Sequence, residues 1–239
     1  MNQPAHPHPT DAHRVAIVTG ASRGLGLALT TRLSSEGWTV VVDARHEDEL
    51  NRATSDLPGV VAVAGDVSDP GHRQTLADTA RRLGGLDLLV NNASMLGPSP
   101  QPRLADYPLD ALDAVYRINV FAPLGLIQVC LPQLVASGGV IISVTSDAAV
   151  AGYSGWGGYG SSKAALEQLT NVLASEEPGL SVYSVDPGDM NTQMHREAFP
   201  GEDISDRPPP EDSVPGLMRL IDERPGSGRF EVQTVQESS

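Results

Sequence analysis

The sequence predicts an α/β fold, a doubly wound parallel sheet with helices on both faces, in a single domain. Three observations predict it. Short apolar, β-branched runs alternate with amphipathic segments along most of the chain, which is typical of βαβ units. The runs are apolar almost throughout, as strands buried on both faces are. The length of 239 residues suits one α/β domain and leaves little room for a second.

The elements are predicted in regular alternation. Strands are expected at residues 14–19, 38–43, 60–64, 86–91, 140–145 and 180–185. Helical periodicity covers residues 24–36, 46–56, 70–83, 106–135 and 159–176. After residue 187 the alternation stops, and residues 188–215, rich in Pro, Asp and Glu, are predicted to form a long substrate loop. A helix at 214–223 and a strand near 229–232 would close the domain.

Composition and charge narrow the classes of partner. The formal net charge of −14 argues against nucleic acid or an anionic membrane, since both bind basic patches. No run approaches the roughly 18 consecutive apolar residues of a membrane span. Cys130, the single cysteine, lies in an apolar run and is expected to be a buried thiol. Residues 1–13 are polar and proline-rich, so a flexible tail of a cytoplasmic protein is expected, not a signal peptide.

A glycine-rich turn directly follows the first predicted strand, where Thr19 to Gly26 read TGASRGLG. Gly20 permits a sharp exit from the strand. Gly24 and Gly26 remove side chains where the backbone approaches a pyrophosphate and where the helix packs on the sheet. The helix N-terminus offers free N–H groups and partial positive charge to phosphates. This G-x-x-x-G-x-G spacing between strand and helix predicts a dinucleotide site of the Rossmann type.

The end of the second predicted strand carries the signals for cofactor choice. A carboxylate here, Asp43, normally accepts hydrogen bonds from the adenosine ribose of NAD, whereas an arginine such as Arg45 pairs with the extra phosphate of NADP. Arg23 in the glycine turn is a second cation within reach of that phosphate. We therefore expect NADP(H) to be favoured over NAD(H), with NAD held by Asp43 as the alternative. Arg45 could instead form an exposed ion pair with Asp48 or Glu49.

Tyr159 and Lys163 are spaced one helical turn apart, and Ser146 precedes the tyrosine by 13 residues. Side chains four apart on a helix share a face, with Cβ atoms about 5–6 Å apart. The ammonium group favours the phenolate, so the pKa of Tyr159 is expected below its ordinary value of about 10. Such a tyrosine beside a hydroxyl can exchange a proton with an oxygen. Alone, the spacing is more typical of a surface pair; beside the glycine turn it predicts an acid–base site.

Together, these motifs resemble the short-chain dehydrogenase/reductase family, in its compact single-domain branch. The resemblance covers roughly residues 15–192. It implies that Tyr159 is the general acid for carbonyl reduction and the base for alcohol oxidation. Lys163 would lower its pKa and hydrogen-bond the nicotinamide ribose, and Ser146 would polarise the substrate oxygen. Asn119 would anchor a water chain that relays protons from Lys163; a hydrogen bond within its helix is the alternative.

The resemblance also implies the cofactor contacts. Asp66 and Val67 would meet the adenine edge, and the turn at Pro187 would run beneath the nicotinamide. Thr192 would touch the carboxamide or a phosphate. The expected cofactor set is Gly20, Ser22, Arg23, Gly24, Leu25, Gly26, Asp43, Arg45, Asp66, Val67, Asn92, Ala93, Tyr159, Lys163, Pro187, Gly188 and Thr192. The sequence departs from the family where Ser94 replaces the usual glycine and where Asp147 follows the catalytic serine.

Three segments are expected to hold the substrate: residues 95–100, 148–156 and 190–199. They place several of the chain's few aromatic side chains near the predicted catalytic tyrosine, which favours an apolar wall able to stack on a ring. Ordinary loop packing is the alternative, and His195 could contact substrate or solvent. The expected substrate contacts are Ser146, Tyr153, Trp156, Tyr159, Met190 and Met194.

The expected function is hydride transfer between NADP(H) and a ketone or secondary alcohol. One alternative is an NAD-preferring alcohol dehydrogenase of the same family. Another is a non-catalytic dinucleotide-binding regulator, which a damaged catalytic set would indicate, although all four catalytic residues are present. No spacing of His, Cys or Asp suits a metal. The resemblance further suggests a homodimer or homotetramer packed through the long central helices, although the C-terminal end lacks the family's common glycine-rich finish.

Overall fold

The computed structural model describes residues 14–237, so the predicted tail at 1–13 lies outside the described residues. Strands within this range are β1 Val15–Val18, β2 Thr39–Ala44, β3 Val60–Ala64, β4 Leu88–Asn91, β5 Val140–Val144, β6 Ser181–Asp186 and β7 Gly228–Glu231. They form one sheet in the order β3-β2-β1-β4-β5-β6-β7. Every neighbouring pair is parallel.

Helices cover both faces of the sheet. They are α1 Gly24–Ser35, α2 Glu47–Thr54, α3 Pro70–Arg82, α4 Leu109–Tyr116, α5 Ala122–Ser137, α6 Gly157–Glu176, α7 Gln193–Ala198, α8 Val214–Glu223 and α9 Val232–Glu237. Alternate residues of β1 enter two cores, as the period of a strand requires. Ala16 and Val18 lie in the core that contains Leu29 of α1. Ile17 lies in the core that contains Leu76 of α3. The predicted doubly wound fold is confirmed.

The long helix predicted at 106–135 runs from Leu109 to Ser137 and is not uniform. A π-helical turn at Arg117–Phe121 separates α4 from α5. Although no run of consecutive apolar residues pointed to it, this helix is long and apolar enough to cross a membrane. However, 44% of its most apolar window is buried inside the domain. Cys130 and Leu134 of α5 are fully buried, which makes α5 a core helix and confirms the buried thiol.

The segment after β6 has more regular structure than predicted. The hydroxyl of Thr192 accepts the His195 N–H at 3.2 Å and caps α7. A 3₁₀ turn at Pro210–Ser213 leads into α8. The prediction of a loop over 188–215 was wrong in these stretches, because helices this short hold too few residues to show a period. The predicted closing strand is β7, and α9 behind it was not predicted.

Parallel strands bring the segments that follow them to one edge of the sheet. β1 lies between β2 and β4, so the strand order reverses there and a crevice opens outside the carboxyl ends. The glycine turn after β1, the arginine after β2 and the asparagines after β4 all meet at this edge. The fold therefore assembles the site from loops that are far apart in sequence.

Candidate active site

The carboxyl edge of the sheet contains a cavity of about 1070 Å³. The expected cofactor residues that line it are Gly20, Ser22, Arg23, Gly24, Leu25, Asp43, Arg45, Asp66, Val67, Asn92, Ala93, Tyr159, Lys163, Pro187, Gly188 and Thr192. Of the expected substrate and catalytic residues, Ser146, Trp156, Met190 and Met194 line it too. Gly26, Asn119 and Tyr153 do not. No cluster of His, Cys, Asp or Glu within residues 14–237 could hold a metal ion.

The glycine turn needs its glycines for two different reasons. Gly20 has φ +68°, and a Cβ there would lie 2.9 Å from the Cα of Ala93, so this position excludes any side chain. A Cβ on Gly26 would lie 2.5 Å from both Asn92 Nδ2 and the carbonyl oxygen of Gly20. The structure therefore gives Gly26 a packing role, which lets α1 lie against the sheet, in place of the expected cofactor contact.

The loop after β4 is fastened to the glycine turn. Asn92 Nδ2 donates to the carbonyl oxygens of Thr19, at 2.8 Å, and Gly20, at 3.2 Å. In return, Thr19 Oγ1 accepts the main-chain N–H groups of Asn92 and Ala93, each at 3.0 Å. The side chain of Asn92 thus fixes two cavity walls relative to each other.

Asp43 is buried, and each of its carboxylate oxygens has a partner in the protein. Its side chain is 2% exposed, and its Oδ1 accepts the Gly20 N–H at 2.8 Å. Its Oδ2 lies 3.2 Å from Nε2 of His72 on α3, which is also buried. This geometry disfavours the expected role of Asp43 as a ribose acceptor, because the side chain is buried and each carboxylate oxygen already has a partner in the protein.

The two arginines at this corner are differently placed. Arg45 is exposed and lines the cavity. It forms no ion pair with Asp48, Glu49 or any other carboxylate among residues 14–237. Arg23 lines the same cavity, and its Nη1 donates to Oε1 of Gln193 on α7 at 2.5 Å. The cavity therefore has one arginine directly after β2, Arg45, and a second, Arg23, whose guanidinium group contacts α7.

Tyr159 and Lys163 are both buried on α6, with the Lys163 Nζ 5.4 Å from the tyrosine ring centre. That ammonium group donates to the carbonyl oxygen of Val144 at 2.8 Å. Burial lowers the pKa of Lys163 to about 8, against an opposing effect of Glu167. Burial raises the pKa of Tyr159, and a hydrogen bond with Ser94 opposes the shift. The predicted lowering of the Tyr159 pKa was wrong in direction, because desolvation disfavours the phenolate and the nearby carboxylates of Asp186 and Asp147 add to the rise.

Asn119 lies in the π-helical turn and is 1% exposed. Its Oδ1 accepts from Met95 N at 2.8 Å and Ser94 Oγ at 3.2 Å. Its Nδ2 donates to Met95 O and Ser162 Oγ, each at 2.9 Å. An asparagine side chain makes four such bonds at most, so it has no position left for a water. Asn119 ties the loop after β4 to α6, and a proton relay through this residue would have to use its main chain.

The carboxylate of Asp147, which directly follows Ser146, forms a hydrogen bond with that serine. Ser146 Oγ donates to Asp147 Oδ1 at 2.9 Å, and the Tyr153 hydroxyl donates to Asp147 Oδ2 at 2.9 Å. Tyr153 is half exposed. The structure thus places Tyr153 outside the cavity as a partner of Asp147, which corrects its expected contact with substrate. No pattern in the sequence indicates this pairing, since either side chain could equally have faced solvent.

Aromatic side chains pack beside Tyr159 and form an aromatic wall. The rings of Trp156 and Tyr159 pack edge to face, with centroids 5.8 Å apart, and Phe199 lies 5.7 Å from Trp156. His195 stacks on Phe199 at 4.8 Å. The Nε2 of His195 is buried and has no hydrogen-bond partner in the described part of the chain. This wall, completed by Met194, gives the cavity an apolar end with one unsatisfied polar atom.

A cluster of three carboxylates around one arginine joins α6 to the last two strands, and the sequence did not predict it. Arg229 on β7 contacts Glu167 of α6 at 3.1 Å, Asp186 of β6 at 3.0 Å and Glu231 at 2.8 Å. Glu167 also accepts from Thr145 Oγ1 at 2.7 Å. Burial raises the pKa of Asp186. The partners lie too far apart in sequence for any spacing to indicate them.

The fold and the cavity define an NAD(P)-dependent oxidoreductase. Residues 14–203 match the family described as short chain dehydrogenase. The chain belongs to the short-chain dehydrogenase/reductase family.

One relative of known sequence and two solved structures are similar to this chain. The benzil reductase ((S)-benzoin forming) of Saccharomyces cerevisiae is 35% identical over 196 residues, which cover 77% of this chain and 74% of that protein. A short chain dehydrogenase structure from Pseudomonas syringae has a TM-score of 0.86 and 30% identity, covering 98% of this chain and 99% of its own. A short chain dehydrogenase from Shigella flexneri, complexed with NADP, has a TM-score of 0.82 and 29% identity, covering 92% and 97%.

Proposed function

We propose that the protein interconverts ketones and secondary alcohols with NADP(H) as its cofactor. The corner after β2 carries the cofactor choice. Arg45 lines the cavity there, whereas each oxygen of Asp43 already has a partner in the protein. Guanidinium groups bind phosphate through paired, charge-assisted hydrogen bonds. A 2′-phosphate would find the exposed Arg45 guanidinium at this corner, while a ribose diol would meet an Asp43 carboxylate held against Gly20 and His72. The NADP complex of the Shigella flexneri protein supports the same choice.

The residues around the cavity fit a dinucleotide. No side chain caps the N-terminus of α1, so the N–H groups of its first turn are left for an anion. Gly24 has φ +57°, and a Cβ added to it would meet only a methyl group of Thr192, at 3.7 Å. The backbone can therefore approach a pyrophosphate closely at this turn.

When bound, the nicotinamide supplies or accepts the hydride. In reduction, Tyr159 gives its phenolic proton to the substrate oxygen, and in oxidation it takes that proton back. Its raised pKa keeps the phenol protonated at neutral pH, which suits the acid role. Lys163, with a pKa of about 8, can return a proton to the tyrosine in the same pH range. Ser146 would turn its hydroxyl from Asp147 to the substrate oxygen.

The aromatic wall supports an aryl ketone as substrate. Trp156 lines the cavity beside Tyr159, and Phe199 packs on Trp156; a ring such as that of Trp156 packs favourably against another aromatic ring. The Saccharomyces cerevisiae relative is named as a reductase of benzil, which carries two aromatic rings on adjacent carbonyl groups. We therefore expect aryl ketones and aryl 1,2-diketones to be reduced faster than aliphatic ketones of similar size.

The experiment is a set of initial rates with NADPH and with NADH, using benzil and an aliphatic diketone as substrates. The wild-type protein should prefer NADPH, and Arg45→Ala should raise the KM for NADPH about tenfold, because a charged hydrogen-bond pair is lost. The KM for NADH should change little. Arg52→Ala is the matched control, since Arg52 is an exposed arginine on α2 outside the cavity. A wild-type preference for NADH, or equal losses with both cofactors, would contradict the proposal.

A further inference from the structure

A buried acid–imidazole pair lies directly beneath the cofactor corner, and the reaction does not use it. His72 on α3 and Asp43 on β2 are 8% and 2% exposed. Their closest atoms, His72 Nε2 and Asp43 Oδ2, are 3.2 Å apart. A carboxylate can only accept hydrogen bonds, so His72 Nε2 carries the shared proton when Asp43 is ionised. A polar pair this deeply buried costs desolvation energy and needs an explanation other than stability.

The surrounding chain is shaped to hold this pair. A Cβ on Gly65, directly after β3, would lie 2.2 Å from His72 Nδ1, so this glycine makes room for the imidazole ring. On the other side of the carboxylate, Oδ1 accepts the Gly20 N–H at 2.8 Å. The main-chain oxygen of Asp43 accepts the Ala21 N–H at 2.9 Å. Asp43 is thus held at three points, two of them on the glycine turn.

We infer that His72 is a positioning residue that sets the choice between NADP and NAD. It keeps the Asp43 carboxylate turned under Gly20, so that the Arg45 guanidinium is left to bind at the adenosine 2′ position. Without the imidazole, Oδ2 would lose its only hydrogen-bond partner within residues 14–237. A desolvated carboxylate oxygen seeks donors or water, and Asp43 borders the cavity. There its charge would repel a 2′-phosphate and accept hydrogen bonds from a ribose diol. The inference rests on the proposed NADP(H) function.

The test measures dissociation constants of NADP⁺ and NAD⁺ by titration calorimetry, so no turnover is needed. His72→Leu removes the donor and should lower the ratio of NADP⁺ affinity to NAD⁺ affinity about tenfold, through charge repulsion at the 2′-phosphate. His72→Gln keeps an N–H donor and should hold the ratio within about twofold of wild type. The double variant His72→Leu with Asp43→Asn removes the repelling charge and should restore the ratio. An unchanged ratio in His72→Leu, or a lowered ratio that the double variant keeps, would overturn the inference.

Circular dichroism would reveal whether His72→Leu fails to fold. In that case Asp43→Asn alone tests whether the Asp43 carboxylate is turned away from the ribose, as the inference requires. Its carboxamide oxygen can still accept the Gly20 N–H, so both affinities should change by the same factor. A selective loss of NAD⁺ would make Asp43 a ribose ligand and overturn the inference. The two proposals can fail separately. Wild-type protein that prefers NADP⁺, with His72→Leu unchanged, refutes the role of His72 alone. Wild-type protein that prefers NAD⁺ refutes the proposed function and this inference with it.

Discussion

At the scale of single residues, burial decides the chemistry of the catalytic pair. The spacing of Tyr159 and Lys163 brings them to one face of α6, but both side chains are almost fully buried. Desolvation disfavours the charged form of each group, which raises the pKa of the phenol and lowers that of the ammonium group. Proximity alone would predict a more acidic tyrosine. Burial instead makes the phenol a weaker acid and the ammonium group a stronger one, so that Lys163 can return a proton to a deprotonated Tyr159.

Lys163 makes a measurable contribution to the pH dependence of stability. Its pKa falls from 10.5 to about 8 on folding, so between these values the unfolded chain binds a proton that the native protein has released. Stability from this group therefore rises with pH across this window. Between about pH 8 and pH 10, the free energy of unfolding of the wild type, measured by urea denaturation, should rise by roughly 2 kcal/mol relative to that of Lys163→Met. If the free energies of unfolding of the two proteins change in parallel with pH, the lowered lysine pKa is contradicted.

Ser94, a departure from the family pattern, acts on the catalytic tyrosine. Its hydroxyl oxygen lies 3.2 Å from Asn119 Oδ1, and when the hydroxyl turns to donate to Tyr159 the hydrogen bond lowers the pKa of that phenol. Ser94→Ala should therefore raise the Tyr159 pKa further. For alcohol oxidation, where the tyrosine is the base, the rising limb of the kcat/KM profile should move to higher pH. Ser94→Thr keeps the hydroxyl and is the control; a profile that Ser94→Ala leaves in place would exclude this role.

At the scale of elements, β7 fastens the catalytic helix to the edge of the sheet. Arg229 reaches Glu167 on α6 and Asp186 at the end of β6. Asp186 directly precedes the Pro187 turn at the cavity, and its Oδ1 accepts the Gly188 N–H at 3.0 Å. One guanidinium group therefore connects the helix that carries Tyr159 with the turn expected beneath the nicotinamide.

Removal of this guanidinium group should weaken the fold. Arg229→Met leaves the partly buried carboxylates of Glu167 and Asp186 without their cation, which should lower the free energy of unfolding by about 1–3 kcal/mol. Arg229→Lys retains the charge without the planar fork and should lose less. Urea denaturation at neutral pH measures both. Equal stability of Arg229→Met and the wild type would show that the cluster is not part of what holds β7 to α6.

At the scale of the whole molecule, the cavity exists only because strands far apart in sequence end side by side. Its walls come from the loops after β1, β2, β3, β4, β5 and β6, together with α7 and the start of α9. No single element forms a binding site, so cofactor binding should stabilise the domain as a unit. The shift in unfolding temperature follows from ligand binding to the native state alone.

The variant Tyr159→Phe should distinguish cofactor binding by the domain from the catalytic step. The variant loses the proton donor but keeps the ring that packs on Trp156. We expect kcat to fall by at least about a hundredfold, the usual contribution of a general acid. NADPH should raise the melting temperature of the variant as much as that of the wild type, and more than NADH does. Turnover near the wild-type rate would remove Tyr159 from the mechanism, and a lost thermal shift would place it in cofactor binding.

Much of the fold could be predicted because it follows from local patterns. Every predicted strand is present. For β1 to β6, runs rich in apolar and β-branched residues and bounded by turns are visible along the chain. The π-helical turn around Asn119 could not be predicted, because its residues share the apolar period of the helix on either side. α7 was missed because six residues are too few for a period. Tyr153 was misplaced because nothing in the sequence indicates on which side of its loop it lies.

The sequence by itself determined the order of strands and helices, the glycine turn, and the spacing of Tyr159 and Lys163. These features depend on residues that are close in the chain, so periodicity and spacing record them. Only the tertiary structure decided that Asp43 lies beneath Gly20 in contact with His72, and that Arg229 joins β7 to the helix that carries Tyr159. It also decided that burial raises the Tyr159 pKa. Distances between remote residues and exclusion from water set these properties, and neither is written in any local stretch of sequence.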